Sequence, residues 1–160
     1  MKKKMTEKTI KGNLFNSEAT IICHQVNASS AMGSGVAKQV RELYPRVYKQ
    51  YMNACEKGLM KLGMCQVVEK EKGSGRYIAN LCGQENFGYN GIRYTNYESI
   101  YVALEKLAKY CEEHNIESVA FPWKMSCDRG GADWLIIVSM IETVFKENEK
   151  IIVEYWKYDN

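Results

Sequence analysis

A chain of 160 residues with 46% apolar and 26% charged side chains is long enough to bury a full core in one domain, without a disulfide or metal staple. Its net charge of +3 is too small to argue for nucleic acid as a partner, and its longest apolar run, Trp134 to Val138, is far too short to span a membrane. The six cysteines, at positions 23, 55, 65, 82, 111 and 127, include no Cys-x-x-Cys pair, so they read as buried reduced thiols rather than zinc ligands or a redox motif.

No N-terminal apolar segment resembles a signal peptide, so a cytoplasmic location is expected. Lys2, Lys3, Lys4 and Lys8 outweigh the whole charge excess, and residues 1–8 read as a frayed basic tail. A short strand, Thr9-Ile10-Lys11, turns at Gly12-Asn13. A β-branched run predicts the next strand over about 20–26. After it, Gly33-Ser34-Gly35 opens onto Val36, Val40 and Leu43, helical spacing over about 35–44. Pro45 ends this helix or starts a second, on which Val47, Tyr48, Tyr51, Met52 and Cys55 share a face.

Strands follow at about 64–68 and 76–82, joined by the turn Lys72-Gly73-Ser74-Gly75. The second is nearly all apolar toward its end, the mark of a central strand. Residues 83–95 form a loop rich in Gly, Asn and Tyr, of a length that usually serves function. Thr95 and Glu98 stand in capping-box spacing and start a helix to about His114. A strand at 118–122, a glycine-bearing loop, a helix from Asp133 and a closing strand at about 151–156 complete the chain. Strands alternating with helices and no repeat or linker predict a single α/β domain over residues 1–160, with one hairpin supplying antiparallel pairing.

Two loops, residues 32–36 and 126–133, each follow a strand and precede a helix. Unpaired amides and the positive end of the dipole at a helix N-terminus suit phosphate. Two such ends converging on one ligand suggest a diphosphate; the alternative is a pair of ordinary βα turns. A nicotinamide Rossmann site is disfavoured, because the third glycine and the acidic residue about twenty positions on are missing.

Gly12-Asn13-Leu14-Phe15, His24-Gln25-Val26-Asn27, Met32-Gly33-Ser34-Gly35-Val36-Ala37 and Pro122-x-x-x-x-Cys127-x-x-Gly130-Gly131-x-Asp133-Trp134 together resemble the macro domain family. They are most similar to its branch of ADP-ribose-1″-phosphate phosphatases and terminal ADP-ribose hydrolases. The resemblance runs from about residue 9 to 156 and implies a three-layer α/β/α sandwich on a mixed sheet of about six strands. It implies ADP-ribose or a derivative as ligand, free or attached to protein; no cofactor, metal or membrane partner is expected, and nucleic acid is a disfavoured partner.

By the same resemblance, Asn13 and Leu14 lie near adenine, though Asn13 also suits a plain turn. Tyr155 or Trp156 would cover the adenine face, and strand alternation allows only one of them to do so. Gly33, Ser34, Gly35 and Val36 would give amides to the phosphates. Asn27 would meet the distal ribose, the reactive end, as a catalytic candidate with His24 and Asp133, unless it only closes an Asx-turn. His24 is either a general acid/base or a satisfied core histidine. Asp133 either caps a helix, or caps it and also activates water.

The second loop, where the resemblance places Ser126, Cys127, Gly130 and Gly131 on the ligand, departs from the family. Met125-Ser126-Cys127-Asp128-Arg129 replaces the common Ile-Gly-Cys-Gly-Leu. Arg129 either contacts phosphate or stays solvated beside Asp128. Gln84 falls where a glycohydrolase branch carries an imine-forming lysine, and Gly130 where that branch has its partner acid. The expected function is an ADP-ribose-binding hydrolase of the phosphatase kind; the alternative is a non-catalytic reader. A nucleic-acid role through the lysine tail is the least favoured.

Overall fold

The computed structural model describes residues 7–88 and 90–158; the cluster Lys2-Lys3-Lys4 lies outside them. In chain order the elements are β1 (Glu7–Lys11), a short 3-10 turn (Leu14–Asn16), β2 (Ile21–Asn27), α1 (Gly35–Leu43), α2 (Pro45–Glu56), β3 (Cys65–Glu69), β4 (Tyr77–Gln84), α3 (Tyr97–Glu113), β5 (Ser118–Pro122), α4 (Trp134–Phe145) and β6 (Ile152–Lys157). The strands form one six-stranded sheet in the order β1-β6-β5-β2-β4-β3. Neighbours run parallel except β3, which pairs antiparallel with β4 as the hairpin predicts.

Period-2 alternation divides the core between the two faces of this sheet. Ile21, Cys23, Ala79, Leu81, Phe121 and Tyr155 face one way, against Ile100, Leu104 and Leu107 of α3 and Ile137 and Ile141 of α4. Ile22, Ile78 and Ala120 face the other, under Val40 of α1 and Val47 of α2. Val26 and Cys82 continue that second face beneath Tyr51 and Ala54. The result is the expected α/β/α sandwich.

Three boundaries differ from the sequence reading. β1 begins at Glu7, and Lys8 sits opposite Glu154 of β6; strand pairing therefore orders the end of the expected tail. β4 runs on to Gln84, which bridges to Thr95. That bridge draws Thr95 into the interior, and Asn96 caps α3 instead, its Oδ1 accepting from the N–H of Ser99 at 2.9 Å. All six thiols are free, and Cys23, Cys82 and Cys111 are buried. Burial pushes the thiols of Cys65, Cys82 and Cys111 up to about 12. Among the described residues, no helix is long and apolar enough to cross a membrane.

Candidate functional site

β2 lies between β5 and β4, all three parallel. Their carboxyl ends stand side by side, at the kind of switch point where open α/β sheets hold ligands. The loops leaving them enclose a cleft of about 480 Å³. Its floor is His24, Gln25, Val26 and Asn27; its walls are Gly33 to Ala37, Gln84 with Phe87 and Gly88, and the run from Pro122 to Gly130.

The first wall is built from the glycine turn and the start of α1. Gly35 opens α1 at φ +60°, a left-handed conformation that glycine takes without strain. The side chain of the cap residue Ser34 makes no cap hydrogen bond, so the first-turn amides of α1 have no partner within the helix or from that side chain. A Cβ added at Gly33 or Gly35 would meet nothing within 4 Å, so the space in front of these amides is open. Ser34 and Val36 line the same wall.

Asn27 lines the cleft, yet most of its carboxamide serves the loop. Its Oδ1 accepts from the N–H groups of Ser29 (2.9 Å) and Ala31 (3.2 Å), and its Nδ2 donates to the Ala31 carbonyl (2.9 Å). The buried hydroxyl of Tyr51, on α2, donates to Asn27 at its carbonyl (2.7 Å) and its Oδ1 (3.0 Å). Asn27 is therefore an Asx-turn residue that still has one Nδ2 hydrogen for a ligand. Tyr51 reads from sequence as one apolar-face residue of α2, and only the folded chain shows its hydroxyl under the loop.

His24 is buried, on the α1–α2 face. Its Nε2 lies 2.6 Å from Asn80 Oδ1. Asn80 uses its Nδ2 to donate to Gln66 Oε1 at 3.0 Å, so Nε2 carries the proton and Nδ1, which has no partner, is bare. Burial lowers the His24 pKa from 6.5 to about 4, against a smaller raising effect of the Asn80 hydrogen bond. At neutral pH the imidazole is uncharged, with its Nε2 proton held by Asn80.

The same shift predicts acid sensitivity. Between pH 6.5 and about 4 the unfolded chain protonates His24 and the folded chain does not. Stability from this source is complete above pH 6.5 and falls as pH drops through that window, by roughly 3 kcal/mol at most. A His24→Asn variant is expected to lose less stability than the parent between about pH 7.5 and about pH 4.5 in urea titrations. Equal losses in both proteins would contradict the buried neutral imidazole.

On the opposite wall, Ser126, Cys127, Arg129 and Gly130 line the cleft, joined by Trp123, Lys124 and Asp128. Ser126 holds φ +73° and Lys124 φ +59°, conformations that non-glycine residues rarely adopt. Burial first, and the nearby Asp133 carboxylate second, push the Cys127 thiol up to about 11, which leaves it protonated and unreactive at neutral pH.

Several expected contacts do not reach this cleft. Asp133 is exposed and outside the lining; its Oδ1 caps α4 by accepting from the N–H of Leu135 at 2.9 Å. Its backbone N–H donates to the Tyr97 hydroxyl at 2.9 Å. Gly131 is also outside the lining; at φ +69° it packs against the backbone of Ile92 and Arg93. Asn13 Oδ1 accepts from the N–H of Phe15 at 2.9 Å, the turn role, and Leu14 is buried. Tyr155 lies in the core on the α3–α4 face, beside Phe121 and Trp134, and cannot cover a ligand in the cleft. Trp156 takes the other face, packed with Leu14 and Phe15, also away from the lining. Among the described residues, the aromatic rings that flank the cleft are Trp123 and the exposed Phe87.

Comparison with known proteins agrees with this architecture. The family model described as Macro domain matches residues 23–141. A DNA ADP-ribosyl glycohydrolase of Thermus aquaticus is 26% identical over 151 residues, which are 94% of this chain and 40% of that protein. An ADP-ribose 1″-phosphate phosphatase of Saccharomyces cerevisiae is 31% identical over 110 residues, 64% of this chain and 60% of that protein. The chain thus spans about two fifths of the first relative's length and three fifths of the second's. Among solved structures, the macrodomain of Thermus aquaticus DarG superposes with a TM-score of 0.79 at 26% identity, covering 96% of this chain and 98% of that one.

Proposed function

Because this chain belongs to the macro domain family, we propose that its cleft binds ADP-ribose and hydrolyses an ADP-ribose derivative at the distal ribose, with ADP-ribose 1″-phosphate as substrate. The observation that carries this reading is the open N-terminus of α1, facing the run from Lys124 to Gly130 across the cleft. The amides of Gly35 and Val36 suit the diphosphate. Arg129 and Lys124 on the opposite wall bring positive charge to the same space. The distal ribose then points toward Asn27 and Gln84. The names of the two curated relatives, one a glycohydrolase and one a phosphatase, support hydrolysis without choosing between them.

Hydrolysis needs a group to take a proton from the attacking water. Among the described residues lining the cleft, Asp128 carries the carboxylate. We assign it that role in place of Asp133 and His24. A reader that binds free or protein-attached ADP-ribose without turnover is the second reading, favoured by the exposed, capping Asp133 and the neutral His24.

Phosphate release from ADP-ribose 1″-phosphate separates the two. The parent is expected to release phosphate, Asp128→Asn to lose about a hundredfold or more of that activity, and Asp133→Asn to keep it, since asparagine caps as well as aspartate. Tight ADP-ribose binding with no release by the parent would establish the reader. Loss of activity in Asp133→Asn, but not in Asp128→Asn, would reverse the assignment.

A further inference from the structure

Four polar side chains from four separate segments meet beneath the cleft. Gln25, on β2, donates from Nε2 to Gln84 Oε1 (2.7 Å) and to Thr95 Oγ1 (2.9 Å). Its Oε1 accepts from Ser126 Oγ (2.8 Å). Thr95 Oγ1 in turn donates to the Ser126 carbonyl (3.2 Å). Both Gln25 amide hydrogens are used, and Gln84 Nε2 is occupied by the Asn86 carbonyl (2.8 Å). Orientations are therefore mutually fixed: reversing one carboxamide would set like groups against each other.

Two glycines make room for this knot. A Cβ at Gly83 would overlap Gln25 Oε1, and one at Gly130 would overlap Thr95 Oγ1 and the Ser126 carbonyl. Both are thus glycine for lack of space. Ser126 itself sits at φ +73°, a left-handed conformation that L-residues rarely adopt. Its hydroxyl ends in the knot, and its carbonyl accepts both from Thr95 Oγ1 and from the Ala132 N–H (2.9 Å), bonds that favour this loop conformation. Thr95 is buried and is absent from the cleft lining.

We propose that Thr95 is a positioning residue for the ligand: through Gln25 and the Ser126 carbonyl it holds the loop after β5 in the shape that closes on the diphosphate. The proposal rests on the reading of this cleft as an ADP-ribose site. It also gives Gln84 a structural duty, as the amide that fixes the far side of Gln25.

The test is calorimetric titration with ADP-ribose of the parent, Thr95→Val and Thr95→Ser, with thermal midpoints from the same samples. Valine keeps the shape and removes both hydrogen bonds of the hydroxyl. Affinity is expected to fall about tenfold or more in Thr95→Val and to stay within about threefold of the parent in Thr95→Ser. Should Thr95→Val not fold, Ser126→Ala carries the test, because it removes only the Ser126 Oγ bond to Gln25; a loss of about threefold or more is expected. Parent-like affinity in Thr95→Val, or in Ser126→Ala when it stands in, would overturn the proposal. So would equal losses in Thr95→Val and Thr95→Ser. A parent that does not bind ADP-ribose overturns the reading of the cleft itself, and that result is known before any variant is titrated.

Discussion

Gly35→Glu is expected to abolish ADP-ribose binding, with a loss of about a hundredfold or more, while the protein stays folded. A Cβ at Gly35 projects into open space, so a longer side chain meets no protein atom at its base. What it enters is the volume in front of the α1 amides. A carboxylate there occupies the anion position and repels the incoming diphosphate. Gly35 lies at φ +60°, so any L-residue adds backbone strain of roughly 1 kcal/mol; the favourable dipole contact of the new carboxylate offsets part of it. Gly35→Ala carries the same strain without the charge and separates the two effects. It is expected to bind within about tenfold of the parent. Calorimetry with melting curves checks all three proteins. A folded Gly35→Glu variant that binds like the parent would move the phosphate site elsewhere.

Borohydride treatment in the presence of ADP-ribose is expected to leave the mass of the intact protein unchanged. By the resemblance read in the sequence, Gln84 falls where a glycohydrolase branch carries an imine-forming lysine. An amide cannot form an imine. In the folded chain Gln84 is buried, with its Oε1 held by Gln25 and its Nε2 by the Asn86 carbonyl. Among the described residues, the amine that lines the cleft is that of Lys124, which is exposed. A trapped adduct would contradict the phosphatase-like reading, and its loss in Lys124→Arg would identify the amine.

The parts of this molecule that were legible in the sequence are the local ones. The strand–glycine turn–helix of β2 and α1 rests on periodicity within one short window, and with it came the amides of Gly33 to Val36. Parity showed that Tyr155 and Trp156 face opposite ways. Which one enters the core depends on the helices packed on each face, set by Phe121 and Trp134 on one side and Leu14 on the other. At Asp133 a carboxylate at a helix start suits both a cap and a catalyst; the folded chain shows the cap, and the Tyr97 hydroxyl that meets its backbone N–H is 36 residues away. Thr95 misled because capping-box spacing is local, whereas its pairing with Gln84 is tertiary. The knot around Gln25 joins residues 59, 70 and 101 positions apart, and no local window contains it. The acid of the cleft, Asp128, was visible only as one half of an unusual charge pair; its place in the lining follows from where β5 ends beside β2.

The central claim is that the cleft reads a diphosphate together with a second, distal ribose. Parallel titrations of the parent with ADP-ribose and with ADP test it most directly. The account predicts that ADP-ribose binds about tenfold or more tightly than ADP, the difference coming from the distal ribose beside Asn27 and Gln84. Equal affinity for the two, or no binding of either, would contradict it.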